Sequence, residues 1–157
     1  MAALALGALA AAACGGNQQT ACGEVENVFE PSSVHVLAGT DVSYELSPPT
    51  SGPHMVPAPD PGVYSAPISE PLQVGAVEAG AVIVQYRESV AASDVEMLEA
   101  LAEDRPIIVA PAARALDDDS IVAFTAWGVR RLCSGVDLDA AREFIDTHAV
   151  APGGQHE

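Results

Sequence analysis

The sequence predicts an α+β domain, with a mixed or antiparallel sheet, two helices packed on it and a long proline-rich loop. Three observations support this class. Short apolar runs typical of strands recur along the chain, two later segments have the apolar spacing of helices, and eight of the 12 prolines lie within residues 47–71. The predicted order is β-β-loop-β-α-β-β-β-α, without an internal repeat.

The first two strands are predicted at residues 34–37 and 42–46. In the second, Val42, Tyr44 and Leu46 alternate with polar residues, as in a half-buried strand. Residues 47–71 are predicted to be a loop, because proline fixes φ and has no backbone donor. A loop of this length is often functional. The alternative is a rigid polyproline-like segment that covers the sheet.

The second half of the chain supplies the remaining elements. Four apolar runs predict strands, at residues 81–86, 106–110, 121–127 and 129–133. Ser93 and Glu96 form a capping box, which predicts that a helix begins there. Asp137 can cap the last helix, whose apolar face is Leu138, Ala141, Phe144, Ile145 and His148.

The N-terminal residues predict export. Residues 1–13 are apolar and uncharged, small residues precede Cys14, and a polar Gly-Gly-Asn-Gln-Gln string follows it. This pattern is typical of a lipoprotein signal peptide, and the run is too short for a spanning helix. No Lys or Arg precedes Cys14, so we expect the signal to be truncated at its start. The alternative is an Ala-rich helix with an incidental cysteine.

This interpretation divides the chain into four parts. Residues 1–13 would be the signal peptide, 14–23 a flexible tether, 24–150 a single α+β domain, and 151–157 a frayed tail. Cys14 would carry the lipid, so the expected location is extracytoplasmic and anchored to the cell membrane.

The charge of the chain excludes one class of partner. With 22 acidic and 6 basic residues, the formal net charge is −16. Nucleic-acid backbones would be repelled, because binding to them depends on Lys and Arg. An anionic membrane surface would be repelled as well, so attachment is expected through lipid. The expected partners are therefore the membrane, through that anchor, and an unknown envelope protein or small ligand.

The cysteines predict a disulfide. If Cys14 is lipidated, Cys22 and Cys133 remain as a pair in an oxidising compartment. The alternative is two unpaired thiols, with Cys133 a small core residue.

Several strings resemble a known bacterial family. They are Pro-Pro-Thr-Ser-Gly-Pro-His at residues 48–54, and the segments 77–86, 125–128 and 144–148. In this order they resemble the family catalogued as domain of unknown function 3105, over roughly residues 24–150. The resemblance implies a membrane-anchored or secreted protein and no settled activity. The family's usual His-x-Leu-Glu-His-Gly string corresponds to residues 75–80, where both histidines are absent and Glu78 is kept.

The candidate binding loop is Thr50-Ser51-Gly52-Pro53-His54. His54 beside Met55 suits copper, and His54 with a carboxylate suits zinc. The resemblance implies that Glu78 lies near His54. The candidate metal ligands are His54, Met55, Glu78 and His148. The alternative is that His54 only hydrogen-bonds the backbone.

Three functions follow from these observations. The leading hypothesis is a non-catalytic, exported binding or interaction module without a cofactor. The second is a copper or zinc protein that uses the His54 loop. The third, a hydrolase that uses Ser51 and His54, lacks a Gly-x-Ser-x-Gly elbow, and Ser51 is more simply a turn residue.

Overall fold

The computed structural model describes residues 20–103 and 105–150. Its eight strands are β1 (Glu26–Asn27), β2 (His35–Val36), β3 (His54–Met55), β4 (Gly62–Val63), β5 (Val82–Tyr86), β6 (Ile107–Pro111), β7 (Val122–Ala126) and β8 (Val129–Cys133). Its α-helices are α1 (Glu70–Glu78), α2 (Ala92–Glu99) and α3 (Leu138–His148). Within the described ranges, no helix is both long and apolar enough to cross a membrane.

A six-stranded mixed sheet is the centre of the fold. Its strand order is β1-β8-β7-β5-β6-β4. Strand β6 pairs in parallel with β4 and β5, and the other pairs are antiparallel. Four of the five residues of β5 are buried, as expected for a strand covered on both faces. Strands β2 and β3 form a separate parallel pair.

Helices cover both faces of this sheet. On one face, Val82 and Val84 of β5 pack with Leu98 of α2 and Phe144 of α3. On the other face, Ile83 packs in a smaller cluster that contains apolar residues of α1. The N-cap of α3 is Asp137, whose side chain accepts a hydrogen bond from the Ala140 N–H, as predicted.

The prediction of a mixed sheet in an α+β domain is confirmed, but the structure has three α-helices rather than two. The additional helix, α1, begins inside the segment predicted to be a loop. Pro71 lies in its first turn, where a missing N–H costs nothing because that donor would be unpaired anyway. Residues 47–71 also contain the two-residue strands β3 and β4, so this segment is not one continuous loop, although most of its residues have no regular structure.

Two smaller predictions were also wrong. Residues 42–46 bury Tyr44, yet they form no strand. The carbonyls of Tyr44 and Leu46 accept hydrogen bonds from the Arg114 side chain and not from a neighbouring strand. Helix α2 begins at Ala92, one residue before the predicted Ser93 cap, and has no side-chain cap.

The pairing of Cys22 with Cys133 is confirmed. The two cysteines are joined by a disulfide that closes a sequence separation of 111 residues. The Gly23 N–H donates to the Leu132 carbonyl at 2.9 Å, so the segment before β1 runs beside β8. The predictions for Cys14, the signal peptide and the tail at 151–157 lie outside the described residues.

A buried arginine connects three segments at this edge of the sheet. Arg130 of β8 contacts Glu26 Oε2 at 2.7 Å and Asp117 Oδ2 at 2.6 Å. Burial alone would raise the pKa of Asp117. The hydrogen bonds from Arg130 and from the Ser47 N–H, with the charges of Arg130 and Arg114, outweigh it and hold that pKa below its usual value.

Candidate functional site

The β2–β3 pair places two histidines opposite each other. The parallel register pairs His35 with His54, and the His54 N–H donates to the Val34 carbonyl at 2.9 Å. Paired residues of neighbouring strands project to the same side, so the two imidazoles meet. Their ring centroids are 4.8 Å apart in an edge-to-face arrangement.

Helix α1 brings a carboxylate to these rings. The helix packs directly on β3 at Gly75, where a Cβ atom would lie only 2.4 Å from the Met55 carbonyl oxygen. A glycine is needed there, because any side chain would push the helix away. Glu78, the last residue of α1, is thereby held beside the two histidines.

The three side chains form a compact group of donor atoms. His54 Nε2 lies 2.7 Å from Glu78 Oε2, and His35 Nε2 lies 3.9 Å from the same oxygen. One potential ligand atom from each residue can be chosen so that all three lie within 4.8 Å of one another. The Ser33 hydroxyl donates to the other oxygen, Glu78 Oε1, at 2.5 Å.

The hydrogen bonding of His54 fixes the role of each ring nitrogen. Nδ1 lies 3.1 Å from the Gly52 carbonyl, which can only accept, so Nδ1 carries the proton. Nε2 then presents its lone pair towards Glu78. This atom is buried, and no described residue satisfies it with acceptable hydrogen-bond geometry, although Glu78 Oε2 is close. A lone pair facing a carboxylate needs a positive charge between them, either a proton or a metal ion.

Burial differs strongly across the group. The His54 side chain is fully buried, whereas 32% of the Glu78 side chain and 61% of the His35 side chain are exposed. Trp127 lies on the buried side, with its ring centroid 6.4 Å from that of His54. The site is therefore a shallow one, closed at His54 and open at His35.

Of the predicted metal ligands, the structure brings together only His54 and Glu78. Met55 follows His54 in β3, so its side chain projects to the opposite side of the strand. His148 packs against Phe144 of the main core, with ring centroids 4.5 Å apart, and burial lowers its pKa.

Sequence reasoning missed His35. It lay in a predicted strand, but nothing in the local pattern indicated which segment that strand would pair with. The signal that could have found it is the apolar alternation around residues 34–37, combined with the expectation of a partner strand near His54.

The predicted binding loop, residues 50–54, serves as a scaffold for the site. The Ser51 hydroxyl accepts a hydrogen bond from the Glu30 N–H at 2.6 Å, and the Thr50 hydroxyl donates to the Val28 carbonyl at 2.9 Å. Gly52 has a φ of +116°, which favours glycine, and its carbonyl is the one that meets His54. Ser51 is thus engaged with the backbone of the neighbouring segment.

Comparisons with known proteins give a family and no closer relative. Neither the curated proteins nor the solved structures contain a match to this chain. The family described as "Protein of unknown function (DUF3105)" matches residues 35–157, which include His35, His54 and Glu78. This is the family that the sequence strings indicated, and the match covers most of the chain. The chain therefore belongs to the DUF3105 family.

Proposed function

We propose that this domain is a binding module whose ligand is a divalent first-row metal ion, held by His35, His54 and Glu78. The observation that carries the proposal is the buried Nε2 atom of His54, which faces a carboxylate without a satisfactory hydrogen bond. Burying a polar atom without a partner costs free energy, and a cation shared with Glu78 would remove that cost.

The donor types favour zinc among these ions. Two imidazoles and one carboxylate are common zinc ligands, and Cu(I) prefers thiolate or thioether sulfur. Because Met55 projects away from His54, no thioether from β3 supports a copper site. The copper expectation based on the His54–Met55 pair therefore gives way to zinc in this proposal.

The donors must move closer together to hold zinc. Tetrahedral donors that lie 2.0–2.1 Å from zinc are about 3.3 Å from one another. The two distances to Glu78 Oε2 are 2.7 and 3.9 Å. The donor atoms of the group lie up to 4.8 Å apart, so a bound ion would have to draw them together by more than about 1 Å. The exposed His35 and partly exposed Glu78 side chains can supply this movement by rotation, whereas His54 is fixed by burial.

The neighbouring hydrogen bonds support the same role. Metal-binding histidines usually donate their second ring N–H to a carbonyl or carboxylate, which fixes the ring, and ligating carboxylates are themselves hydrogen-bonded. Here the Gly52 carbonyl meets His54 Nδ1, and the Ser33 hydroxyl donates to Glu78 Oε1. Both contacts leave His54 Nε2 and Glu78 Oε2 free to bind an ion.

Titration with zinc tests this proposal. The protein would be the full chain with Cys14→Ser, which removes the one cysteine outside the disulfide as a competing ligand. We expect one zinc per chain, with binding abolished in Glu78→Gln and strongly weakened in His35→Ala. His35 and Glu78 are partly exposed, so these variants should stay folded.

The matched control is His148→Ala, which removes a histidine that packs on Phe144 instead. It should bind zinc like the parent chain. Equal binding by the parent, Glu78→Gln and His35→Ala, or no binding by the parent, would refute the proposal.

We also propose that the module is exported and lipid-anchored through Cys14. The support is the apolar run followed by Cys14 and a polar tether, together with a disulfide, which persists in oxidising compartments. Labelling cells with a fatty-acid analogue should mark the parent chain and leave Cys14→Ser unmarked. Equal labelling of both chains, or of neither, would count against the anchor.

A further inference from the structure

We infer that the ion at this site keeps one coordination position open, and that the position takes a small anionic ligand such as a carboxylate, a thiolate or azide. This inference rests on the proposed function, and it concerns what the bound ion would do. It follows from the number of protein donors, the direction of exposure and the charge of the site.

The donor number is the first argument. In the part of the chain that the structure describes, the group contains His35, His54 and Glu78, and no fourth His, Cys, Asp or Glu joins it. Structural zinc sites use four protein ligands, whereas sites with three keep the fourth position for water or substrate. The nearby Ser33 hydroxyl is already engaged, because it donates to Glu78 Oε1.

The direction of exposure is the second argument. His54 is fully buried, and its ring is backed by the Gly52 carbonyl and flanked by Trp127. The His35 side chain is 61% exposed, and Glu78 is exposed in part. An ion bound between them has protein behind it and solvent in front, so the remaining position is directed to the solvent.

The charge is the third argument. Two neutral imidazoles and one carboxylate neutralise only one of the two charges on a divalent ion. The bound site would carry a net charge of +1 within a chain whose formal net charge is −16. Because the ion is the largest local charge, an anion that completes its coordination is favoured over a neutral ligand.

Cobalt provides the test, because Co(II) occupies zinc sites and its visible absorption depends on coordination. The full chain with Cys14→Ser would be loaded with one equivalent of Co(II) and titrated with sodium azide. We expect visible bands of a four-coordinate ion on loading, and a saturable change of those bands as one azide binds.

Two outcomes would overturn the inference, and they are distinguishable. If Co(II) binds but saturating azide leaves the bands unchanged, the site is closed and only this inference fails. If no Co(II) binds, the proposed metal function fails with it.

A variant of the supporting hydroxyl separates the ion from its ligand. Ser33→Ala should weaken Co(II) binding by about 10- to 100-fold, as is usual when a hydrogen bond to a metal ligand is lost. Azide should still bind to the loaded variant, because Ser33 does not occupy the open position. The control His148→Ala should match the parent in both titrations. Loss of azide binding in a fully loaded Ser33→Ala variant would show that the anion depends on the hydroxyl and not on the ion, which would contradict the inference.

Discussion

Removal of the Cys22–Cys133 bridge should lower the free energy of unfolding by about as much as the truncation of a large buried side chain. The bridge closes a separation of 111 residues. In the chain-entropy model, a cross-link over a loop of that length lowers the conformational entropy of the unfolded chain by about 16 cal/mol/K. This stabilises the folded state by about 4.8 kcal/mol at 25 °C. Domains of this size typically have a free energy of unfolding of about 5–15 kcal/mol, so the loss is a large fraction of the total.

The assay is urea unfolding, followed by the fluorescence of Trp127, the single tryptophan. With an m value of about 2 kcal/mol/M, a loss of 4.8 kcal/mol lowers the midpoint by about 2.4 M. Cys22→Ala and Cys133→Ala, both made with Cys14→Ser, should each show this shift. The double variant should add little, because each single substitution already breaks the same bond.

The result that would refute this reasoning is a loss below about 2 kcal/mol in all three variants, without a change in the m value. The bridge would then constrain the unfolded chain far less than its loop length implies. A double variant that loses the sum of the two single losses would also contradict it, because additive losses indicate packing defects and not one shared bond.

Three further predictions concern packing, charge and capping. Gly75→Ala should destabilise the domain by about 1–3 kcal/mol and weaken zinc binding, because the new Cβ atom would clash with the Met55 carbonyl oxygen. Urea unfolding measures the loss of stability, and zinc titration measures the loss of affinity. Gly23→Ala is the control, because an added Cβ atom has room there. The lowered pKa of Asp117 contributes stability that is present above its usual value of 3.8 and lost as the pH falls through the folded-state pKa. The urea midpoint of the parent should therefore drop below pH 3.8, and Asp117→Asn should show less of this drop. Asp137→Ala should cost about 1 kcal/mol in urea unfolding, because it removes the N-cap of α3; no loss would contradict the capping role.

The elements that sequence could predict are those with a strong local pattern. Strand β5 is a continuous apolar run, and α3 combines an apolar face with a good N-cap at Asp137. Helix α1 has neither feature. Its Pro71 and Gly75 usually argue against a helix, and only the three-dimensional context explains them, because Pro71 is in the first turn and Gly75 contacts β3.

Two of the three residues of the candidate site could be predicted from the sequence, and the third could not, because its position depends on tertiary contacts. The strings shared with a known family directed attention to His54 and Glu78. The third member, His35, depends on the pairing of two strands that are only two residues long each, and so short a strand has no periodicity to read. The partner of such a strand is decided by tertiary packing, here the close approach of α1 to β3 at Gly75.

The disulfide also determines where a mechanical load on the N-terminus would act. Cys22 follows Cys14 by eight residues, which can span at most about 28 Å, so a lipid on Cys14 would keep the domain close to the bilayer. Tension from that anchor would pass through the covalent bond into β8, which is flanked by β1 on one side and β7 on the other. The edge strand β1 lies beyond the cross-link and is shielded from the pull. A domain tethered in this way would bear tension from its anchor without separation of its edge strand from the sheet.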